Sequence, residues 1–241
     1  MNKVALAIIC KTPKAGASKT RLSPPLRPED CAKISECFIR DLSGTISQIA
    51  RDGHCAGYAV YTPLGSESLL RAMLPAGFKL TPQRDGHLGE RLKGGIADLL
   101  AAGHTGAILV NSDSPTLPAS TLRAAVAAVA RGSGIVLSAA LDGGYTLIGM
   151  SHLHARVFED IPWSTPDVFR LTLDRASEAG IPVELVPGWY DVDDAASLEL
   201  LREELLASKP PTLLGPLLGE DAPESRRFLL SLNVRSDHGS I

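Results

Sequence analysis

Short runs of continuous apolar residues alternate along most of the chain with longer stretches of helical period. Residues 4–9 are apolar throughout, the signature of a strand buried on both faces. From 30 to 50, Ile34, Phe38, Leu42, Ile46 and Ile49 keep a helical spacing. The same reading predicts a strand over 56–61, a short helix over 66–74, a short strand over 78–81 and a helix ending near Ala102. A buried strand follows at Ala107-Ile-Leu-Val110, then an alanine-rich helix over 121–130 with Ser120 and Thr121 near its cap. Residues 135–141 and 145–150 are strands around Asp142-Gly143-Gly144, a hairpin signal. A helix to Glu178, a strand over 183–186 and a helix through Leu205 complete the alternation. This order predicts an α/β fold with a mainly parallel sheet.

The polar residues with candidate chemistry follow these strands, at the edge where open α/β sheets bind ligands. After the first strand, Lys11, Lys14, Lys19 and Arg21 surround Gly16, and flexible backbone with several cations suits a phosphate chain. The loop lacks the GxxxxGK[ST] pattern, so it is not a Walker loop. Asp113, in Asn111-Ser112-Asp113-Ser114-Pro115, is a carboxylate at a strand end, as a hard divalent cation on a phosphate requires. Its alternative role is to cap a turn. Gly86 and Gly89 precede a helix where backbone could line a pocket for a base or ribose. Asp142 reads first as turn chemistry. Trp163, in a proline-bounded loop, is either a stacking surface or packing. Asp191, Asp193 and Asp194 repel one another unless solvated or neutralised. Asp191 and Asp193 alternate to one side of extended chain, and Asp194 suits the N-cap of the following helix.

The chain has 241 residues, 44% hydrophobic and 21% charged, with a formal charge of −3. That is enough for one domain with a sizeable core and offers no basic field for nucleic acid. Cys10, Cys31, Cys37 and Cys55 form no CxxC pair, which fits reduced thiols in a cytoplasm. His152 and His154 lack neighbouring ligands of a metal site. The N-terminal apolar run is brief and runs into lysines, so a first strand is expected there instead of a signal peptide, and no run is long enough to span a membrane. No GxGxxG follows the first strand, which excludes a nicotinamide enzyme of that type. From 207 onward the alternation stops, and 207–241 reads as an arm on the body or on a partner, compatible with a homodimer. A short helix is expected over 224–232 and a frayed end from Ser236.

Taken in order, these motifs resemble a known group: Lys11-x-Pro-x-x-Gly16-x-x-Lys19-Thr-Arg21-Leu, Asn-Ser-Asp113-Ser-Pro115, Asp142-Gly-Gly-Tyr-x-Leu-Ile-Gly149, Trp163-Ser-Thr-Pro and Asp191-Val-Asp193-Asp. The chain resembles the DUF2064 family, often labelled glycosyltransferase, within the GT-A nucleotide-diphospho-sugar transferase superfamily. It is also similar to nucleotidyltransferases of molybdenum-cofactor and F420 biosynthesis. The resemblance covers roughly residues 3–206. It implies a Rossmann-like, mixed, mainly parallel sheet with helices on both faces, residues 1–206 forming the transferase domain. It further implies that Asp113 and Asp193 hold Mg²⁺ or Mn²⁺, with Asn111 standing where a first Asp often sits. Lys11, Gly16, Lys19, Arg21 and Gly89 would bind the nucleotide and its phosphates, with Asp113, Lys19 and Arg21 acting in catalysis. Asp142 and Trp163 are candidates for the acceptor side. The expected reaction is glycosyl transfer from a nucleotide-sugar to a small-molecule acceptor. The alternatives are nucleotidyl transfer from a triphosphate to a phosphorylated acceptor, and a non-catalytic nucleotide- or partner-binding module.

Overall fold

The computed structural model describes residues 3–132, 134–207 and 217–238, with side chains of the last helix described to Leu232. Seven strands form one sheet: β1 (Val4–Lys11), β2 (Cys55–Thr62), β3 (Lys79–Pro82), β4 (Gly106–Asn111), β5 (Ile135–Ala140), β6 (Tyr145–Met150) and β7 (Val183–Trp189). Their order across the sheet is β3-β2-β1-β4-β6-β5-β7. Only β6 runs antiparallel, pairing β4 on one side and β5 on the other. The Asp142-Gly-Gly turn therefore makes the predicted hairpin. Because β6 starts where its neighbours end, Tyr145 joins the carboxyl-end residues of the parallel strands.

Strand β1 shows why the sheet is covered on both faces. Val4, Leu6, Ile8 and Cys10 enter the cluster formed with α1 (Pro28–Arg51), α4 (Ala119–Arg131), α6 (Ala195–Leu206) and α7 (Pro223–His238). The alternate Ala5 and Ala7 face the cluster formed with α3 (Leu88–Ala101) and α5 (Val168–Glu178). Small residues on this second face let α3 come close: a Cβ on Gly95 would stand 3.2 Å from Leu109 and from Val60. A short α2 (Glu67–Arg71) follows β2.

The predicted elements appear with shifted ends. The first long helix begins at Pro28, a residue suited to the first helical turn, with Glu29 and Asp30 facing the helix dipole. The 66–74 helix shortens to Glu67–Arg71. Residues Ser120 and Thr121 do not cap α4, because Pro118 stands at the cap and the carboxylate of Glu220 accepts from Ala119 N at 2.8 Å. That partner comes from 101 residues away, beyond any local pattern. The last helix runs from Pro223 to His238, longer than the expected 224–232, and takes in Ser236. It is held to the body by Asp41, whose carboxylate accepts from Glu224 N, Ser225 N and Ser225 Oγ at 2.9, 2.8 and 2.6 Å. Residues 208–216, part of the expected arm, and 239–241 lie outside the described residues. Among the described residues no helix is long and apolar enough to cross a membrane.

Candidate functional site

The loops after β1, β4 and β7, the β5–β6 turn and residues 163–166 surround one cavity of about 620 Å³. It opens at the carboxyl edge of the sheet, where parallel strands leave their loops. The loop after β4 and the segment after β7 are joined by Val192 N donating to Asp113 O at 2.9 Å. That bond brings Asp113 beside Asp191 and Asp193.

Lys19 stands at the centre. Its loop turns back through Gly16 at φ 72°, and Lys19 itself is left-handed at φ 49°. The side chain is 7% exposed; its ammonium lies 2.9 Å from Asp113 Oδ1 and 2.7 Å from Asp193 Oδ1. It also donates to Val192 O at 2.7 Å. Burial alone would lower the Lys19 pKa, but the two carboxylates outweigh it and raise it. The position between Asp113 and Asp193, where the family resemblance implies a divalent ion, is thus taken by an ammonium group. Lys11 closes its own loop by donating to Ala17 O at 3.0 Å. Lys11 and Arg21 are exposed at the cavity wall, with no ion pair among the described residues.

A second grouping of acids lies next to the first. Asp142, Asp191 and Asp193 each offer a carboxylate oxygen, and these oxygens lie within 4.8 Å of one another. Asp191 is pushed up to about 7, first by burial and then by the charges of Asp142, Asp193 and Asp113. Crowded carboxylates favour the protonated form of one among them. Asp142 also accepts from Gly144 N at 2.8 Å, so it performs its turn role and faces the cavity as well. Asp194 points away from the grouping and caps α6, accepting from Ser197 N at 2.9 Å. That is the capping role its position predicts.

On the far wall, Trp163 lies edge-on to Tyr145, ring centroids 6.5 Å apart at 86°. The indole covers Gly89: a Cβ there would stand 2.4 Å from Trp163 Nε1. Gly89 is therefore buried under the aromatic ring and does not line the cavity; nor does Gly16, which is exposed with open space around it. Of the residues singled out in the sequence, Lys11, Lys19, Arg21, Asp113, Asp142, Trp163 and Asp193 do meet around this one space. Asp191 was noted for its alternation with Asp193 but given no role in the site, and Tyr145 was not singled out. Tyr145 had no local signal, because its place depends on the Trp163 loop folding back over β6.

The DUF2064 family, described as an uncharacterized protein conserved in bacteria, matches residues 45–165 of the chain. Among solved structures, a protein of Desulfovibrio desulfuricans G20 provisionally named a nucleotide-diphospho-sugar transferase has a TM-score of 0.82. It is 23% identical, over 97% of this chain and 96% of that one. A CMP:2-keto-3-deoxy-manno-octonic acid synthetase complexed with CTP matches at TM-score 0.54 and 13% identity, over 83% of this chain and 97% of its own. A 4-diphosphocytidyl-2C-methyl-D-erythritol synthase matches at TM-score 0.54 and 12% identity, over 84% and 98%. At these identities the likeness is one of fold. No curated protein matches the chain in sequence.

Proposed function

We propose that this chain, which belongs to the DUF2064 family, is a metal-dependent transferase acting on a nucleotide-activated donor, and that the group it moves is a sugar. The observation that carries this reading is the crowding of Asp142, Asp191 and Asp193 beside the Lys19-linked Asp113, in a cavity at the sheet's carboxyl edge. The three acids fit Mg²⁺ or Mn²⁺. They offer only oxygen, and burial followed by the charges of neighbouring carboxylates pushes Asp191 up to about 7, an excess of negative charge that a divalent cation would relieve. A divalent cation bound there supplies charge neutralisation at the donor phosphates.

The remaining work falls to side chains of this protein. Lys11 and Arg21 meet phosphate oxygens from the basic loop and stabilise charge on the leaving group. Lys19 fixes Asp113 and Asp193 at one spacing, so the acids are positioned before a donor arrives. Glycosyl transfer breaks the bond between the sugar's anomeric carbon and the phosphate oxygen, and the nucleoside diphosphate leaves with the electron pair. An acceptor hydroxyl forms the new bond and gives up its proton. Trp163, and Asp142 where it is not engaged by the metal, are the candidates of the cavity wall for the acceptor side. With Lys19 occupied by carboxylates, Lys11 and Arg21 suit a diphosphate leaving group. Nucleotidyl transfer is the second reading, favoured by the same basic loop: were Lys19 to leave its two acids, three cations would face one triphosphate.

The test is a thermal-shift panel of nucleoside diphosphates, triphosphates and nucleotide-sugars with and without Mg²⁺ or Mn²⁺, followed by product analysis. A ligand that binds only the native state raises the midpoint. The expected result is metal-dependent stabilisation by one nucleotide-sugar, lost in Asp193→Asn, with release of a nucleoside diphosphate. Release of pyrophosphate from a triphosphate would move the reaction to nucleotidyl transfer. Stabilisation with no product under any acceptor condition would reduce the protein to a nucleotide-binding module.

A further inference from the structure

Two hydrogen-bond donors on the cavity wall have no partner among the described residues. Tyr145 Oη and Trp163 Nε1 are both buried, and neither meets an acceptor. They belong to one edge-on aromatic pair. A buried donor without an acceptor destabilises its own conformation, and in native proteins such groups call for an explanation. Burial raises the Tyr145 pKa, so the phenol stays protonated and able to donate. Indole N–H can only donate.

The segment that carries one of these donors and packs edge-on against the ring of the other is weakly tied. Among the described residues, the hydrogen bonds made by residues 161–166 stay local: Trp163 N to Ile161 O, Thr165 Oγ1 to Pro162 O and Val168 N to Thr165 O. Its hold on the body is contact, the indole on Gly89 and Pro166 O against Gly143. Ser164 sits at φ 67°, a conformation that side chains other than glycine adopt at some cost. Three features thus coincide at one place: sealed donors, a strained residue and a segment held mainly by packing.

We propose that residues 161–166 form a lid over a sugar-ring subsite, and that the Tyr145 hydroxyl and the Trp163 indole N–H are specificity-determining donors to that ring's oxygens once the lid lifts. The subsite takes a neutral, polyhydroxylated ring. Two donors suit hydroxyl or ring oxygens, and aromatic faces suit the apolar C–H face of a sugar. The neighbouring Asp142, Asp191 and Asp193 disfavour an anionic group. This rests on the transferase reading for its substrate class, while the donors and the lid stand on the geometry alone. The ring could belong to the nucleotide-sugar or to the acceptor.

The experiment uses Tyr145→Phe, which keeps the ring and removes the hydroxyl, and Trp163→Phe, which removes the indole N–H together with part of the ring system. Tyr145→Phe is expected to melt at or above the wild-type midpoint without ligand, since it removes an unsatisfied group without opening a cavity. With Mn²⁺, a set of nucleoside diphosphates, their nucleotide-sugars, and free hexoses and inositol are then titrated, following tryptophan emission. A change present in wild type and absent in Trp163→Phe belongs to Trp163, since Trp189 is unaltered. The expected result is that sugar-bearing ligands shift the emission, nucleoside diphosphates do not, and Tyr145→Phe binds those ligands at least fivefold more weakly. A response to the nucleotide-sugar alone places the ring in the donor, and one to the free sugars places it in the acceptor. Nucleoside diphosphate binding with no sugar preference and no loss in Tyr145→Phe would overturn the subsite while leaving the transferase reading intact. A free-sugar response lost in Tyr145→Phe, with no nucleotide binding, would do the reverse. A lower unliganded midpoint in Tyr145→Phe, or no response to any ligand, would overturn the lid and its donors.

Discussion

Two regions of this molecule treat their acidic groups in opposite ways: buried acids under the C-terminal segment, and partly exposed acids at the carboxyl edge of the sheet. Where the C-terminal segment packs on the body, the polar atoms of each buried acid are answered. Asp41 accepts three bonds from the start of α7. Glu204 accepts from Tyr190 Oη at 2.5 Å, within a network in which Trp189 Nε1 donates to Thr116 Oγ1 at 3.1 Å. At the carboxyl edge of the sheet, Asp142, Asp191 and Asp193 crowd one another, and Tyr145 and Trp163 point donors at nothing. A buried polar group that completes its bonds rigidifies a fold. One left incomplete lowers stability and is retained only where something else selects for it. The contrast separates scaffold from site without reference to any relative.

The comparison breaks most visibly at Asp41. Asp41→Ala leaves two backbone N–H groups of α7 and the Ser225 hydroxyl without their acceptor, and the expected loss is about 3 kcal/mol by chemical denaturation. Asp191→Asn is expected to act in the other direction. Removing one charge from the crowded acids stabilises the metal-free protein at pH 8 by on the order of 2 kcal/mol, measured by denaturation in a chelator, and removes stabilisation by Mn²⁺. If Asp191→Asn were instead destabilising, the acids would be a satisfied structural group like Asp41. Gly89→Ala should cost about 1 kcal/mol, because the new methyl displaces the Trp163 indole; greater quenching of Trp163 emission by acrylamide would check the displacement.

The smallest effect is expected at Glu204. Burial comes first among the causes that raise its pKa, and the bonds from Tyr190 and Thr116 only partly offset it. A carboxylate raised in the folded state makes the protein lose stability as pH climbs from the ordinary carboxylate range toward the raised value. Glu204→Gln should flatten the stability profile in that window, by less than about 1 kcal/mol, with the contrast against wild type vanishing below the ordinary range. A profile unchanged by the substitution would show that Glu204 titrates normally.

Much of the fold was legible because its signals are local. Apolar runs gave the strands, helical spacing gave α1, alanine content gave α4, Asp142-Gly gave the hairpin, and Asp194 gave a cap. Errors gathered where a distant segment supplied the partner. Glu220 caps α4 in place of Ser120 or Thr121, and Asp41 holds a terminal helix longer than its sequence promised. The site was legible as a set of residues more than as an arrangement. Lys19, Asp113 and Asp193 were each singled out, but as a phosphate ligand and a metal pair, not as an ion-paired triplet. Gly89 was taken as open backbone, and Trp163 covers it.

By itself the sequence determined an alternation of strands and helices and the placement of charged residues at strand ends, because side-chain periodicity and turn chemistry act over a few residues. Only the tertiary structure decided that Lys19 meets Asp193, 174 residues away, and that Asp142 joins Asp191 and Asp193. Those meetings depend on the order β1-β4-β6-β5-β7 and on one strand reversing direction. Sheet order is set by the summed packing of two hydrophobic faces, a property of the whole chain that no short stretch carries.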